Sequence, residues 1–251
     1  MPPILETISL FKNFDGVIAA DNINVKIEDG EIIGVIGANG AGKTTFVNMI
    51  TGYLKPSEGK ILYNGEDITG LPPRIITKKG INRSFQIPQL FEDLSVIENI
   101  IVAQTIKENK FINPFKDFKD KVKIEKAKEV LNKFNLMKYS NDTVSKLPQG
   151  VKKLLDIAMA VIGRPKLLLL DEPTSGVAID EKFDLMNIVM EGVSLTGAAI
   201  LFIEHDMEIV EKYSKRVIAF YDGRIIADGK TDEVLNNEEV EKYVIGFEIS
   251  K

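Results

Sequence analysis

The run Gly37-Ala38-Asn39-Gly40-Ala41-Gly42-Lys43-Thr44-Thr45 holds the densest chemistry in the sequence. Its spacing, G-x-x-x-x-G-K-[ST], suits a loop that wraps phosphate. Glycines let successive backbone N–H groups turn inward on phosphate oxygens, and a helix opening near Lys43 adds its positive end. In that reading Asn39, Gly40, Ala41 and Gly42 line the cradle. Lys43 reaches the β- and γ-phosphates, and the Thr44 hydroxyl ligates Mg²⁺, with Thr45 beside it. Lys43 is expected to face solvent until phosphate arrives. An accidental glycine-rich turn is the competing reading. The strand pattern over 31–36 and the helical pattern over 43–50 stand against it.

Two further clusters could act on the same phosphate. Leu167-Leu168-Leu169-Leu170-Asp171-Glu172 places two carboxylates at the C-terminal end of a buried strand, where α/β sheets present their sites. Asp171 suits a Mg²⁺ shell, and Glu172 suits polarisation of an attacking water. Taken alone, the run reads more readily as a strand that ends in two solvated acids; after a phosphate loop that reading loses, because phosphoryl transfer needs these parts. His205 is the only histidine in the chain and follows the apolar run 198–203. There it could hydrogen-bond a γ-phosphate and the attacking water, although a lone histidine is more commonly structural.

The elements that must position these groups read as an α/β protein. Residues 22–27 alternate polar and apolar, as a half-buried antiparallel strand does, and Asp29-Gly30 turns the chain into the strand before the loop. Pro56-Ser57-Glu58-Gly59 breaks the chain after the first helix, residues 60–63 resume as strand, and Asn64-Gly65 is a turn. Residues 80–86 read as a strand edge. From 91 to 164 the pattern is helical, with a lysine-rich stretch over 112–128 bearing Phe111, Phe115 and Phe118 near its start. An apolar face runs through Leu154, Leu155, Ile157, Ala158 and Val161. The last third alternates strand 166–171, helix 181–195, strand 198–203 and a ribbon around Tyr221-Asp222-Gly223. Such alternation implies a parallel sheet with helices on its faces. The expectation is one domain, with a catalytic core over 1–86 and 165–251 and a helical subdomain over 87–164.

Composition narrows the classes. The 251 residues are 44% hydrophobic and 27% charged, ordinary for a globular chain. Net charge is −5, which argues against a nucleic-acid partner. The absence of cysteine excludes disulfides and thiolate metal sites. No apolar run is long enough to span a bilayer, and Met1-Pro2-Pro3-Ile4-Leu5-Glu6 shows no secretory signal. Work at a membrane would need another polypeptide to hold the chain there.

Together these segments resemble the nucleotide-binding subunit of an ABC transporter over nearly the whole chain. The resemblance implies a P-loop NTPase (RecA-like) core with an antiparallel β-subdomain and an inserted α-helical subdomain, and it implies ATP hydrolysis with Mg²⁺. It makes 37–45 the Walker A loop, 167–172 the Walker B strand and His205 the switch histidine. Gln86, in Arg83-Ser84-Phe85-Gln86, matches the Q-loop glutamine, a ligand of Mg²⁺ and water. Phe14 matches an aromatic that stacks on adenine, its alternative being an ordinary strand aromatic. Leu147-Pro148-Gln149-Gly150 falls at the signature loop and Ser175-Gly176-Val177-Ala178 at the D-loop. Ser84-Phe85-Gln86, Leu90-Phe91, residues 94–99 and the tail through Tyr243 are similar to the ATP-binding subunit of branched-chain amino acid importers. Urea-type importers and lipopolysaccharide-export ATPases share part of that pattern.

The implied partners are a second ATP-binding subunit, identical or related, meeting residues 147–151, and transmembrane permease subunits docking near residues 86–99 at the cytoplasmic face of the membrane. Prediction of an apolar docking cleft falls on Leu90, Phe91 and Leu94. Two departures stand out. The family's signature serine is Pro148 here and its glutamine is Val151, while the D-loop aspartate is Ala178. Either the half-site lent to a partner is weakened, or backbone contacts suffice. Rival readings are a soluble ABC ATPase acting on DNA or ribosomes, and a regulatory subunit that binds ATP mainly to assemble a complex.

Overall fold

A computed structural model describes residues 2–108, 118, 120–194 and 196–246. In chain order, strands β1 (Leu5–Phe14), β2 (Val17–Ile27) and β3 (Ile32–Gly37) precede helix α1 (Lys43–Ile50). Strands β4 (Glu58–Tyr63) and β5 (Glu66–Asp67), helix α2 (Pro73–Lys79) and strand β6 (Ile81–Ser84) follow. Helices α3 (Val96–Lys107), α4 (Lys121–Lys133) and α5 (Gln149–Val161) lead to β7 (Leu167–Asp171) and α6 (Lys182–Ser194). Strand β8 (Ala199–Ile203), helix α7 (Met207–Tyr213), strands β9 (Arg216–Tyr221) and β10 (Arg224–Lys230) and helix α8 (Thr231–Leu235) complete the α/β pattern. The expected Phe111 and Phe115 lie outside the described residues, as does Leu195. By compactness the chain divides into one unit of residues 1–81 and 198–251 and a second of residues 82–197.

The first unit holds two sheets. The antiparallel one has the order β2-β1-β4-β5. Burial alternates over residues 22–27 of β2, as a sheet with one wet face requires, and slips where the β1–β2 register shifts near Ser9 and Asn22. The other runs β10-β9-β3-β8, with β3 parallel to both β8 and β9, and β9 antiparallel to β10. Ile-Ile-Gly-Val-Ile-Gly in β3 and Ala-Ile-Leu-Phe-Ile in β8 are unbroken apolar runs because both faces of such strands are covered. Gly34 gives α7 its close approach: a Cβ there would stand 3.0 Å from a Val210 methyl and 3.2 Å from the Ser214 Cβ. From α1, Phe46 meets Phe220 of β9 with ring centroids 5.4 Å apart.

The second unit is largely helical, with β6 and β7 as neighbouring strands. Its helix starts are chemically specified. Ser95 and Glu98 form a reciprocal capping box at α3, and the Asp120 carboxylate accepts from the Val122 and Lys123 N–H groups at α4. Phe134 lies on α6 at Gly192, where a Cβ would meet the ring at 2.6 Å. The four leucines of β7 are all buried.

Candidate functional site

The phosphate-loop motif sits in the first unit between β3 and α1, as its strand-loop-helix spacing requires. The chain leaves β3 at Gly37 and enters α1 through Gly42, whose φ of 103° is left-handed. A Cβ on Gly42 would lie 2.6 Å from the Ala19 carbonyl oxygen and 3.2 Å from the Gly223 Cα. Gly40 is also left-handed, with φ 82°, but a Cβ there would meet nothing within 4 Å. Glycine is therefore needed at 42 for space and conformation, and at 40 for conformation alone. Asn39, Gly40 and Thr44 are exposed, Thr45 is half-buried and Ala41 is buried.

Lys43 corrects an expectation. It does not face solvent: it is 5% exposed, and its Nζ donates to the carbonyl oxygens of Gly37 and, at 3.0 Å, Ala38. The ammonium lies against the loop's own backbone because a buried cation needs acceptors, and the peptides leaving β3 supply them.

His205 lies just past the end of β8. Val35 pairs with Ile203 in the parallel β3–β8 ladder, and His205 is the second residue after that strand ends. Its backbone N–H donates to Glu204 Oε2 at 3.3 Å, and its side chain is half-buried. Phe14 ends β1 at a two-residue turn where it pairs with Val17. The ring is 45% exposed, next to exposed Val17 and Ile18, with the Lys12 ammonium 5.1 Å from its centroid. From this tip β2 runs to Ala19, the residue against which Gly42 and Gly223 pack. Backbone bonds from Asp21 N–H to the Gly223 carbonyl (2.8 Å) and from Gly223 N–H to the Ala41 carbonyl (3.1 Å) complete the join. Within the first unit, then, the turn bearing Phe14, the loop and His205 are tied through β2, β3 and β8.

The second unit brings together the other predicted groups. Asp171 ends β7 and is ion-paired with the guanidinium of Arg83 on β6, both side chains being nearly inaccessible. Glu172, the next residue, is half-buried and has φ 47°, the left-handed region that a residue with a Cβ enters at a cost. The Gln86 Nε2 donates to Glu172 Oε2 at 2.7 Å, so two residues 86 positions apart share one contact. The signature-like loop ends at Pro148, which is exposed, N-caps α5 and offers no side-chain cap. A Cβ on Gly176 would lie 3.6 Å from the Gln149 Cγ, so the start of α5 is beside the 175–178 turn. Ala178 is exposed and Val151 half-buried.

Sequence reasoning missed three charged residues around these groups. Arg83 is one. Lys153 and Asp156 of α5 are the others, both buried. Lys153 Nζ donates to the Glu172 carbonyl at 2.7 Å and to Ser175 Oγ at 3.2 Å. The Asp156 carboxylate accepts from the N–H groups of Phe85 at 2.9 Å and Gln89 at 3.1 Å. Burial pushes the Asp156 carboxyl up to about 6, against the lowering effect of those two N–H groups and of Lys153. The available signal was two charges at i and i+3 beside the apolar face of one helix.

Residues 86–99 are held from both ends. Asp156 fixes 85 and 89. The side chain of buried Asn99 accepts from Phe91 N–H at 2.9 Å and donates to the carbonyls of Phe91 and Ser95. Between these anchors Ile87 is 74% and Phe91 46% exposed, while Leu90 and Leu94 are half-buried.

Each unit offers hard oxygens of the kind magnesium takes, the Thr44 hydroxyl in the first and Asp171 and Gln86 in the second, and among the described residues no group of three or more His, Cys, Asp or Glu residues could cage a metal. Mg²⁺ is typically bound by one or two carboxylates, with substrate phosphate and water filling its shell, rather than by a protein cage.

Comparison with known proteins agrees with this layout. Residues 20–175 match the ABC transporter family. The chain is 35% identical over 250 residues to the high-affinity branched-chain amino acid transport ATP-binding protein BraF of Pseudomonas aeruginosa, covering 97% of this chain and 98% of that one. It is 36% identical over 251 residues to the probable branched-chain amino acid transport ATP-binding protein LivG of Archaeoglobus fulgidus, covering 99% and 97%. A crystal structure of the ADP conformation of an ATP-binding cassette of an ABC transporter superposes over 100% of both chains, with TM-score 0.84 and 30% identity. A nucleotide-free cassette superposes over 96% of this chain and 98% of its own, with TM-score 0.83 and 31% identity. The loop between β3 and α1, the acidic end of β7 and these full-length likenesses agree: the chain belongs to the ABC transporter family and carries its ATPase domain.

Proposed function

We propose that this chain binds and hydrolyses ATP as the motor subunit of a membrane importer, with branched-chain amino acids as cargo, on the cytoplasmic face of the membrane. The observation that carries the reading is the hydrogen bond between Gln86 and Glu172 at the end of β7 in a chain whose β3–α1 loop is built for phosphate. Backbone N–H groups of residues 39–45 and Lys43 bind the β- and γ-phosphates. Phe14 offers its exposed ring to adenine. Glu172 takes a proton from water as the water oxygen attacks the γ-phosphorus and the bond to the β-phosphate oxygen breaks, leaving ADP and phosphate. Gln86 orients Glu172 and the water, and His205 holds the γ-phosphate. Thr44, Asp171 and Gln86 would hold Mg²⁺, which when bound spreads the phosphate charge.

The fold would serve as one ATPase domain, with residues 87–164 as a helical insertion. Its partners would be a second ATP-binding subunit meeting residues 147–151 and permease subunits on residues 86–99. Exposed Ile87 and Phe91 on a backbone anchored at both ends support the second contact. Among the described residues no helix is long and apolar enough to cross a membrane, so partner subunits would hold the chain there. The amino-acid cargo rests on the names of the relatives.

The test has two arms. Purified chain with its co-purifying subunits should hydrolyse ATP, and Glu172→Gln should keep ATP binding while lowering turnover by about 10²–10⁴. Turnover within about twofold of wild type would reject the role of Glu172. Cells lacking this chain should lose uptake of labelled leucine, isoleucine or valine. Unchanged uptake of all three would reject the cargo and leave the ATPase reading standing.

A further inference from the structure

Two charges on α5 are buried. Lys153 is 2% and Asp156 6% exposed, one turn apart on a helix whose residues 153–158 are all buried. Apolar residues at both positions would avoid the desolvation that buried charges suffer. What the charges do is hold backbone. Asp156 grips 85 and 89 on either side of Gln86. Lys153 grips the carbonyl of Glu172 and the hydroxyl of Ser175. The two gripped segments carry the side chains that meet in the Gln86–Glu172 hydrogen bond. Glu172 also has φ 47°, a conformation costing roughly 1–2 kcal/mol for a residue with a Cβ and persisting only where its surroundings enforce it. Lys153 is part of that enforcement.

We propose that Lys153 and Asp156 are positioning residues for ATP hydrolysis: one helix, through two charges a turn apart, sets the backbone of Gln86 and of Glu172 and so aims the Glu172 carboxylate. The inference rests on the ATPase reading above and adds to it the residues that hold the base. Neither side chain touches the nucleotide in this role, so their loss slows the chemical step and leaves ATP affinity alone.

The experiment measures steady-state ATP hydrolysis by the full-length chain with its co-purifying subunits. Lys153→Met and Asp156→Asn are expected to lower kcat by about 10–100-fold, the scale of a 1 Å misplacement, with KM for ATP changed less than about threefold. Methionine fills the buried space of the lysine stem at 153, so that variant folds whether or not Asp156→Asn does. Lys153→Arg keeps a charged donor and should stay within about threefold of wild type. In a Glu172→Gln background, where there is no base left to aim, either substitution should lower the residual rate by less than about twofold. The proposal is overturned if kcat of Lys153→Met stays within about twofold of wild type, if KM rises with kcat intact, or if the losses multiply with that of Glu172→Gln. A wild-type chain that hydrolyses no ATP would overturn the proposed function and this inference with it. An active wild type with unaltered variants would overturn this inference alone.

Discussion

Replacing Gly42 by alanine tests whether the phosphate loop depends on its contact with β2. The new methyl group would sit 2.6 Å from the Ala19 carbonyl oxygen and 3.2 Å from the Gly223 Cα, at a backbone φ of 103°. Both neighbours are backbone, so neither can swing aside as a side chain would. Conformational strain contributes about 1–2 kcal/mol, and forcing a methyl into occupied space about 1–3 kcal/mol more. The sum is about 3 kcal/mol, or a Tm lower by about 6–12 °C for a chain of this length. Gly40→Ala is the internal control. It meets the same conformational cost at φ 82° but open space around the methyl, so its Tm should fall by only about 2–8 °C. Thermal unfolding followed by circular dichroism, with binding of a fluorescent ATP analogue on the same samples, reads both. The reasoning is refuted if Gly42→Ala melts with wild type, or if Gly40→Ala is the less stable of the two.

Further expectations concern charge, docking and the second subunit. Asp156 has a folded pKa raised to about 6, so its contribution to stability is fully present below about pH 4 and is lost as pH rises through 6. Relative to Asp156→Asn, wild type should therefore gain up to about 3 kcal/mol in urea unfolding between pH 7 and pH 4, and a relative loss over that interval would refute the assignment. Ile87→Glu with Phe91→Glu should leave stability within about 0.5 kcal/mol and nucleotide binding intact, because both side chains are exposed, while abolishing co-purification of membrane subunits. Loss of nucleotide binding alongside loss of assembly would refute a role confined to docking. If the working unit is a heterodimer, the site receiving Pro148 lacks a hydroxyl donor and should be slower by about 10²–10³. Pro148→Ser should raise that site's rate alone when the partner site is blocked. Equal rates from the two blocks, with no effect of Pro148→Ser, would mean that backbone contacts suffice.

The elements nearest the chemistry were legible because their signals are local. The leucines of β7 and the apolar run of β8 are continuous where both strand faces are covered, and the glycine spacing before Lys43 needs only adjacent residues. Phe14 was placed by resemblance alone, since an aromatic at the tip of a hairpin has no pattern of its own. The direction of Lys43 was misread because its acceptors are the backbone carbonyls of Gly37 and Ala38, which no side-chain type reveals. Lys153 and Asp156 were visible as charges, but reading the helix for its apolar face passed over them. The approach of Ala19 and Gly223 to Gly42 joins residues far apart in sequence, and nothing near residue 42 announces it.

That last contact also sets an order of events during synthesis. The phosphate loop is complete as sequence by residue 45. As a structure it waits for β8 and β9, which flank β3, and for Gly223, whose N–H is bonded to the Ala41 carbonyl. At ordinary ribosomal speed roughly 10–40 s separate the emergence of residue 37 from that of residue 223. For most of that interval, until residue 199 emerges, β3, an unbroken apolar strand, has neither neighbour. A nascent chain stalled before residue 198 would carry an intact motif and a strand with two open edges, which makes it a substrate for chaperones before it can be a receptor for nucleotide.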